Sequence, residues 1–159
     1  MRSVDVVELV ESLAKADVKA FVAGGWAVDA LLGRQTREHG DLDLAVDERD
    51  LPSFLSVLEL QGFVVTADWW PARLEFTSAD GRVVDVHPVT FAADGSGSQA
   101  GLNGERFHYA TDGFTSGTID GRPVPCLSRE QQLQFRKGYE PRSVDIHDIR
   151  LLNDLRPDP

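Results

Sequence analysis

Residues 37 to 46 read R-E-H-G-D-L-D-L-A-V, and the two acids in this run limit what the chain can become. Leu42, Leu44 and Val46 alternate with Asp41 and Asp43, which is the period of a half-buried strand. The leucines and valine then face a core, and both carboxylates project from the opposite side. Two acids so placed make either a solvated face or a claw for a cation. A second stretch, V-V-D-V-H-P-V at 83–89, has the same design. Val84, Val86 and Pro88 share one face, and Asp85 and His87 share the other. If the two strands are neighbours, Asp41, Asp43 and Asp85 converge. Their repulsion is relieved by a divalent metal, and hard carboxylate oxygens suit Mg²⁺ together with substrate phosphates. Asp41 and Asp43 can each hold or bridge a metal. Asp85 can hold the metal nearest a nucleophile or take its proton. Two metals would activate an attacking oxygen and steady a departing phosphate. The plain alternative is an acidic face open to solvent.

Upstream, F-V-A-G-G-W-A-V-D-A places Gly24 and Gly25 between a strand and the first turn of a helix. Backbone N–H groups at such a start can cradle a phosphate, although an ordinary turn uses glycine too. The pair is neither G-x-G-x-x-G nor a G-K-[ST] P-loop. Arg37 suits a bidentate grip on a triphosphate or on one of the acids. His39 enters the acidic strand and is placed to order Asp41 or touch a phosphate. Each has a bland reading as a surface or structural residue. Together, glycine pair, arginine and D-x-D describe a helix start that holds phosphates opposite a metal claw.

The rest of the chain sets the fold class. The pattern predicts helices over 3–16 with Ser3 as N-cap, 26–32 stopped by Gly33, and Asp50 to about Leu60. It predicts short strands at 18–22, 41–46, 63–67, 73–77, 82–86, 106–109, 114–119 and 122–125. Residues 92–104 are rich in Gly and Ser and read as a loop. Ser128 and Gln131 resemble a capping box for a helix over 129–137, and a last helix runs from Ser143 through Leu152. The order implies an α+β fold with a mixed, mostly antiparallel sheet flanked by helices. With 159 residues, one domain (1–159) is expected, with a helical closing segment, 128–159.

The 26 acids outweigh the 16 bases, for a net charge of -10. This opposes a nucleic-acid backbone as partner and welcomes a cationic small molecule. No apolar run is long enough for a membrane span, and the opening M-R-S-V-D-V-V-E-L-V does not read as a signal peptide. A cytoplasmic protein is expected. Cys126 has no partner cysteine and reads as buried packing.

The run G-G-W-A-V-D-A-L-L-G-R-Q-T-R-E-H-G-D-L-D-L resembles the antibiotic nucleotidyltransferases of the polymerase-beta-like superfamily. It is most similar to the small lincosamide nucleotidyltransferases and the aminoglycoside 2''-nucleotidyltransferases. V-D-V-H-P-V, G-T-I-D-G, C-L-S-R-E-Q-Q-L-Q-F-R-K-G-Y-E and D-I-H-D-I-R-L-L fit the lincosamide type. The resemblance implies a polymerase-beta-like core, Mg²⁺, ATP or another nucleoside triphosphate, and transfer of a nucleoside monophosphate to a drug hydroxyl with loss of pyrophosphate. It maps the metal acids onto Asp41 and Asp43 and the third carboxylate, a proposed base, onto Asp85. Trp26 stands where the superfamily normally has Ser, so a phosphate contact must come from elsewhere. Lys137 and Tyr139 resemble positions near the nucleotide. Trp69, Trp70 and Phe76 are candidates for an acceptor pocket, and Glu75 and Glu105 for a drug amine. Asp145, His147 and Asp148 suggest a second metal set or simple helix-start charges. A homodimer that completes the acceptor cleft is a reasonable expectation. The rivals are a nucleotidyltransferase acting on another acceptor and an inactive nucleotide-binding module.

Overall fold

The computed structural model describes residues 1–155. The expected helicity of 156–159 lies outside the described residues. In order, the elements are α1 (Ser3–Lys15), β1 (Ala20–Val22), α2 (Gly24–Leu32), β2 (Asp41–Asp47), α3 (Leu51–Leu60), β3 (Phe63–Trp69), β4 (Arg73–Ser78), β5 (Val83–Phe91), β6 (Gly97–Ala100), β7 (Arg106–Tyr109), β8 (Phe114–Ile119), β9 (Arg122–Leu127), α4 (Arg129–Phe135) and α5 (Ser143–Asp154). The main path of the sheet is β3-β4-β5-β2-β1-β9-β8, with β6 and β7 attached to the far end of β5. All pairings are antiparallel except β1–β9 and β2–β5. The expected α+β fold with a mixed, mostly antiparallel sheet is therefore observed.

Alternation along β2 and β5 builds the core. Leu42, Leu44, Val46, Val84 and Val86 are fully buried and join Val6, Leu9 and Leu13 of α1, Trp26 of α2 and Phe54 of α3. Phe76 belongs to this layer, with its ring 6.1 Å from that of Phe54. It is core and does not line an acceptor pocket. A smaller apolar cluster on Ala45, Val89, Tyr109 and Leu127 adjoins the polar face.

Several local expectations change. Ser3 is the first helical residue, and Arg2 is the N-cap, donating through its backbone N–H and guanidinium to the Asp5 carboxylate. The Asp50 side chain does not cap α3; it accepts a bond from Lys19 N. Ser128 caps α4 through Gln131 N, but the Gln131 side chain turns to Ala110 N and His108 O. The largest change is β6, inside the segment expected to be a loop. Gly97 there is a packing residue, because a Cβ would press on Val89 and Tyr109. Glycine allows close approach at this point. Among the described residues, no helix is long and apolar enough to cross a membrane.

Candidate active site

The parallel pairing of β2 with β5 sets Asp43 directly opposite Asp85, and β4 sets Glu75 opposite Asp85 in turn. Three acids thus form one row across the polar face. Ligand atoms of Asp43, Asp85 and His87 all lie within 4.8 Å of one another. Asp41 is not in that group. It is exposed at the start of β2, opposite Val83.

Environment separates the acids. Burial pushes the Asp85 carboxyl up to about 6; Asp43 and Asp41 add to the rise, while His87 and Arg73 oppose it. Asp41 is raised by loss of water on its inner side and by the charge of Asp43. Asp43 is lowered: burial pushes it up, but the His87 hydrogen bond and nearby cations outweigh that. Arg73 Nε lies 2.8 Å from Asp85 Oδ1, yet the N–H is not aimed at the oxygen. Both atoms are buried without a directed hydrogen bond. A buried carboxylate oxygen left in this state, facing a second carboxylate, is satisfied by a hard divalent cation. The residues fit Mg²⁺.

Asp85 carries a testable cost. Its carboxyl titrates near 3.8 in an open chain and near 6 in the fold. Above about pH 6 both states are ionised, and the folded one holds an unfavourable charge. The penalty shrinks as pH falls through 6 and is gone below the open-chain value. Metal-free Asp85→Asn should therefore melt above the native protein near pH 8, and the gap should close toward about pH 4. Thermal melts in chelator across that range check this.

The glycine pair abuts the acids. Gly24 begins α2 with φ 57, in the left-handed region. A Cβ there would run into the Asp43 carboxylate. Ala23 N also donates to Asp43 O at 2.9 Å. Gly24→Ala should cost roughly 1–2 kcal/mol of backbone strain and displace Asp43. Urea unfolding and initial rates should show that modest loss of stability beside a loss of turnover of about tenfold or more, on the scale of disturbed metal-site support.

Gly25 faces the Arg37 guanidinium and the His39 ring, and a Cβ would strike both. His39 is buried, bonds Asp29 Oδ2 at 2.5 Å and lies 4.4 Å from the buried Trp26 ring. It touches neither Asp41 nor open space. Arg37 forks onto Asp148 of α5, with both N···O distances 3.1 Å. Asp148 also binds Arg136, from the turn after α4, at 2.9 Å. Asp145 pairs with Arg142, and His147 meets Thr36. The D-x-H-D run therefore disperses into separate partnerships.

Beside Asp43 and Gly24 lies a cavity of about 290 Å³, lined also by Phe107, Tyr139, Arg136 and Arg142. Arg136 Nε and Gln132 Nε2 are buried there without hydrogen bonds. Lys137 is exposed, meets Gln134 and borders a different cavity. On the other side of the row, Trp69 and Trp70 are exposed, and Arg73 sits 4.5 Å above the Trp69 ring. Glu75 contacts Thr66 and Arg73, whereas Glu105 closes its own turn on Asn103 N. Cys126 is fully buried, and burial pushes its thiol up to about 12. Arg73 and Arg136 carry no local sequence signal for their positions; they reach the site through strand pairing and helix docking.

The mixed sheet, with its carboxylate pair on adjacent strands beside a glycine-started helix, matches the polymerase-beta-like nucleotidyltransferase core. The chain belongs to the aminoglycoside-2''-adenylyltransferase family, which it matches over residues 5–152. A lincosamide resistance protein of Staphylococcus haemolyticus is 34% identical over 138 residues, covering 87% of this chain and 86% of that protein. A 2''-aminoglycoside nucleotidyltransferase of Klebsiella pneumoniae is 31% identical over 134 residues, covering 82% and 71%. The crystal structure of the lincosamide antibiotic adenylyltransferase LnuA, lincomycin-bound, superposes with a TM-score of 0.86 at 30% identity, covering 97% of this chain and 98% of that one. The protein is a nucleotidyltransferase-like enzyme of the antibiotic adenylyltransferase group.

Proposed function

We propose that this protein transfers a nucleoside monophosphate from ATP, or another nucleoside triphosphate, to a hydroxyl of a lincosamide antibiotic. The observation that carries the transfer chemistry is the in-register pair Asp43–Asp85, with a buried Asp85 oxygen that is ion-paired to Arg73 but receives no directed hydrogen bond. The lincosamide acceptor is supported by the 34% identity to a lincosamide resistance protein.

The hydroxyl oxygen forms a bond to the α-phosphorus, the α–β phosphoanhydride bond breaks, and pyrophosphate leaves in line. Asp43 and Asp85 would hold Mg²⁺, with Asp41 adding charge at the mouth and helping to hold a second ion. Bound Mg²⁺ would polarise the phosphoryl oxygens and neutralise charge on the leaving group. Asp85, beside the attacking hydroxyl, would accept its proton or lower its pKa through the bound ion. Arg136 and Arg142, with the start of α2, suit the phosphates. Phe107 and Tyr139 offer ring surface for the base. Arg37 takes part where it packs against Gly25, and His39 supports the framework through Asp29 and Trp26; Lys137 borders a different cavity and has no part in this reading. Trp69 and Glu75 lie on the Asp85 side and suit a cationic acceptor. Chain 1–159 acts as one domain, a triphosphate donor fits a cytoplasmic setting, and a second copy would close the acceptor side.

The family match and the 31% identical relative favour a second reading, an aminoglycoside 2''-hydroxyl as acceptor. Mass spectrometry of lincomycin and of an aminoglycoside, incubated separately with protein, Mg²⁺ and mixed nucleoside triphosphates, decides between them. A nucleotide adduct on lincomycin is expected. An adduct confined to the aminoglycoside overturns the acceptor, and none on either drug overturns both.

A further inference from the structure

Behind Asp43 runs a chain of hydrogen bonds that ends on a main-chain carbonyl. His87 Nε2 lies 3.2 Å from Asp43 Oδ1. Its other nitrogen, Nδ1, lies 3.1 Å from Gln99 Nε2. That amide nitrogen also donates to Ala72 O at 3.2 Å, and Tyr109 Oη donates to Gln99 Oε1 at 2.6 Å. Gln99 and Tyr109 are buried. They come from β6 and β7, the small sheet attached to the far end of β5.

The Ala72 carbonyl can only accept, so the nitrogen of the Gln99 amide must face it. Tyr109 then serves the amide oxygen. The same amide nitrogen meets His87 Nδ1, so Nδ1 must accept and carries no proton. The ring proton is on Nε2 and points at Asp43. A second proton would sit on Nδ1 and face the amide donor to donor. With both nitrogens committed, His87 has no lone pair for a metal. Asp43 Oδ1 is held by the imidazole, and Oδ2 is turned toward the start of α2, where a Cβ on Gly24 would meet it.

We propose that His87 is a positioning residue for Asp43 and not a metal ligand, with its tautomer set by Gln99, Tyr109 and the Ala72 carbonyl. His87 acts through the carboxylate it orients. Ala72 O works through this chain on Asp43, while the next residue, Arg73, contacts Asp85 directly. The end of the β3–β4 loop and the first residue of β4 therefore support the two acids. The proposal rests on the transferase reading only where turnover is measured.

Long-range proton–nitrogen NMR correlations on the metal-free protein near pH 8 report the tautomer without any activity. A neutral ring with its proton on Nε2, unchanged by Mg²⁺, is expected. A proton on Nδ1, a charged ring, or loss of the Nε2 proton on adding Mg²⁺ overturns the proposal. Variants give a second arm. The Gln side chain can place an N–H near the position of Nε2, and Leu cannot. His87→Gln should keep turnover within about threefold, while His87→Leu should lose about tenfold or more in kcat and need about tenfold more Mg²⁺ for half activation. The acceptor KM should not move. Equal losses in the two variants, or none in either, overturn it. Should the native protein transfer nothing to either drug, the NMR arm still decides the matter.

Discussion

Asp43→Asn should fold normally and lose roughly 10³-fold in kcat, the scale on which preorganised charge stabilises a transition state. The substitution keeps the shape of the side chain. Asn retains an oxygen that can accept from His87 Nε2, now 3.2 Å from Oδ1. It also leaves the main-chain bond from Ala23 N intact. What disappears is the negative charge that faces Asp85 across the strand pairing. A cation held between two carboxylates is left with one. Initial rates of drug-adduct formation, with a thermal melt on the same sample, separate the two effects. A variant that keeps a tenth of the native rate would remove Asp43 from the centre of the mechanism.

Asp148→Ala is expected to be the most destabilising single change near the site. Asp148 is buried and binds Arg37 through both oxygens and Arg136 through Oδ2. Its side chain is only 3% exposed, and that of Arg136 8%. Removing the shared carboxylate strands two guanidinium groups, one deep and one half-open. Breaking a buried pair from one side costs roughly 3–5 kcal/mol. Asp148→Asn keeps one acceptor and should lose less. The same change releases Arg37 from Gly25 and Arg136 from the cavity wall, so nucleotide affinity should fall with stability. Urea unfolding and nucleotide titration at low temperature, where the variant is still folded, check both parts. A loss of less than about 1 kcal/mol would mean that these arginines find solvent easily and that the clamp contributes little.

The sequence exposed the strands of the site better than its surroundings. Alternation in D-L-D-L-A-V and V-V-D-V-H-P-V is local, because a strand alternates whatever lies beside it. That is why Leu42, Leu44, Val84 and Val86 were legible as core, and why Asp43 and Asp85 were legible as facing away from it. Their parallel, in-register pairing was not local, and it entered only as a condition. Asp41 shares the face of Asp43, but the pairing leaves it at the strand's exposed start. Long-range partners account for the other differences. The sequence suits Arg37 to a triphosphate or to one of the strand acids, and its guanidinium is taken up by Asp148, which arrives with the final helix. The sequence places His39 to order Asp41 or touch a phosphate, and it turns inward to Asp29. Lys137 and Arg136 are adjacent in the chain, and the helix end points them into different cavities. Gln99 is hidden for another reason. Gly and Ser around it read as loop, whereas Gly97 is small because Val89 and Tyr109 crowd it.

The most direct test uses ATP labelled at the α- and γ-phosphorus, supplied with lincomycin to the native protein with and without Mg²⁺. The expected result is α-label on the drug and γ-label in pyrophosphate, in equal amounts, with neither formed in chelator. Appearance of γ-label on the drug, or transfer of α-label without any divalent cation, would contradict nucleotidyl transfer at the Asp43–Asp85 pair.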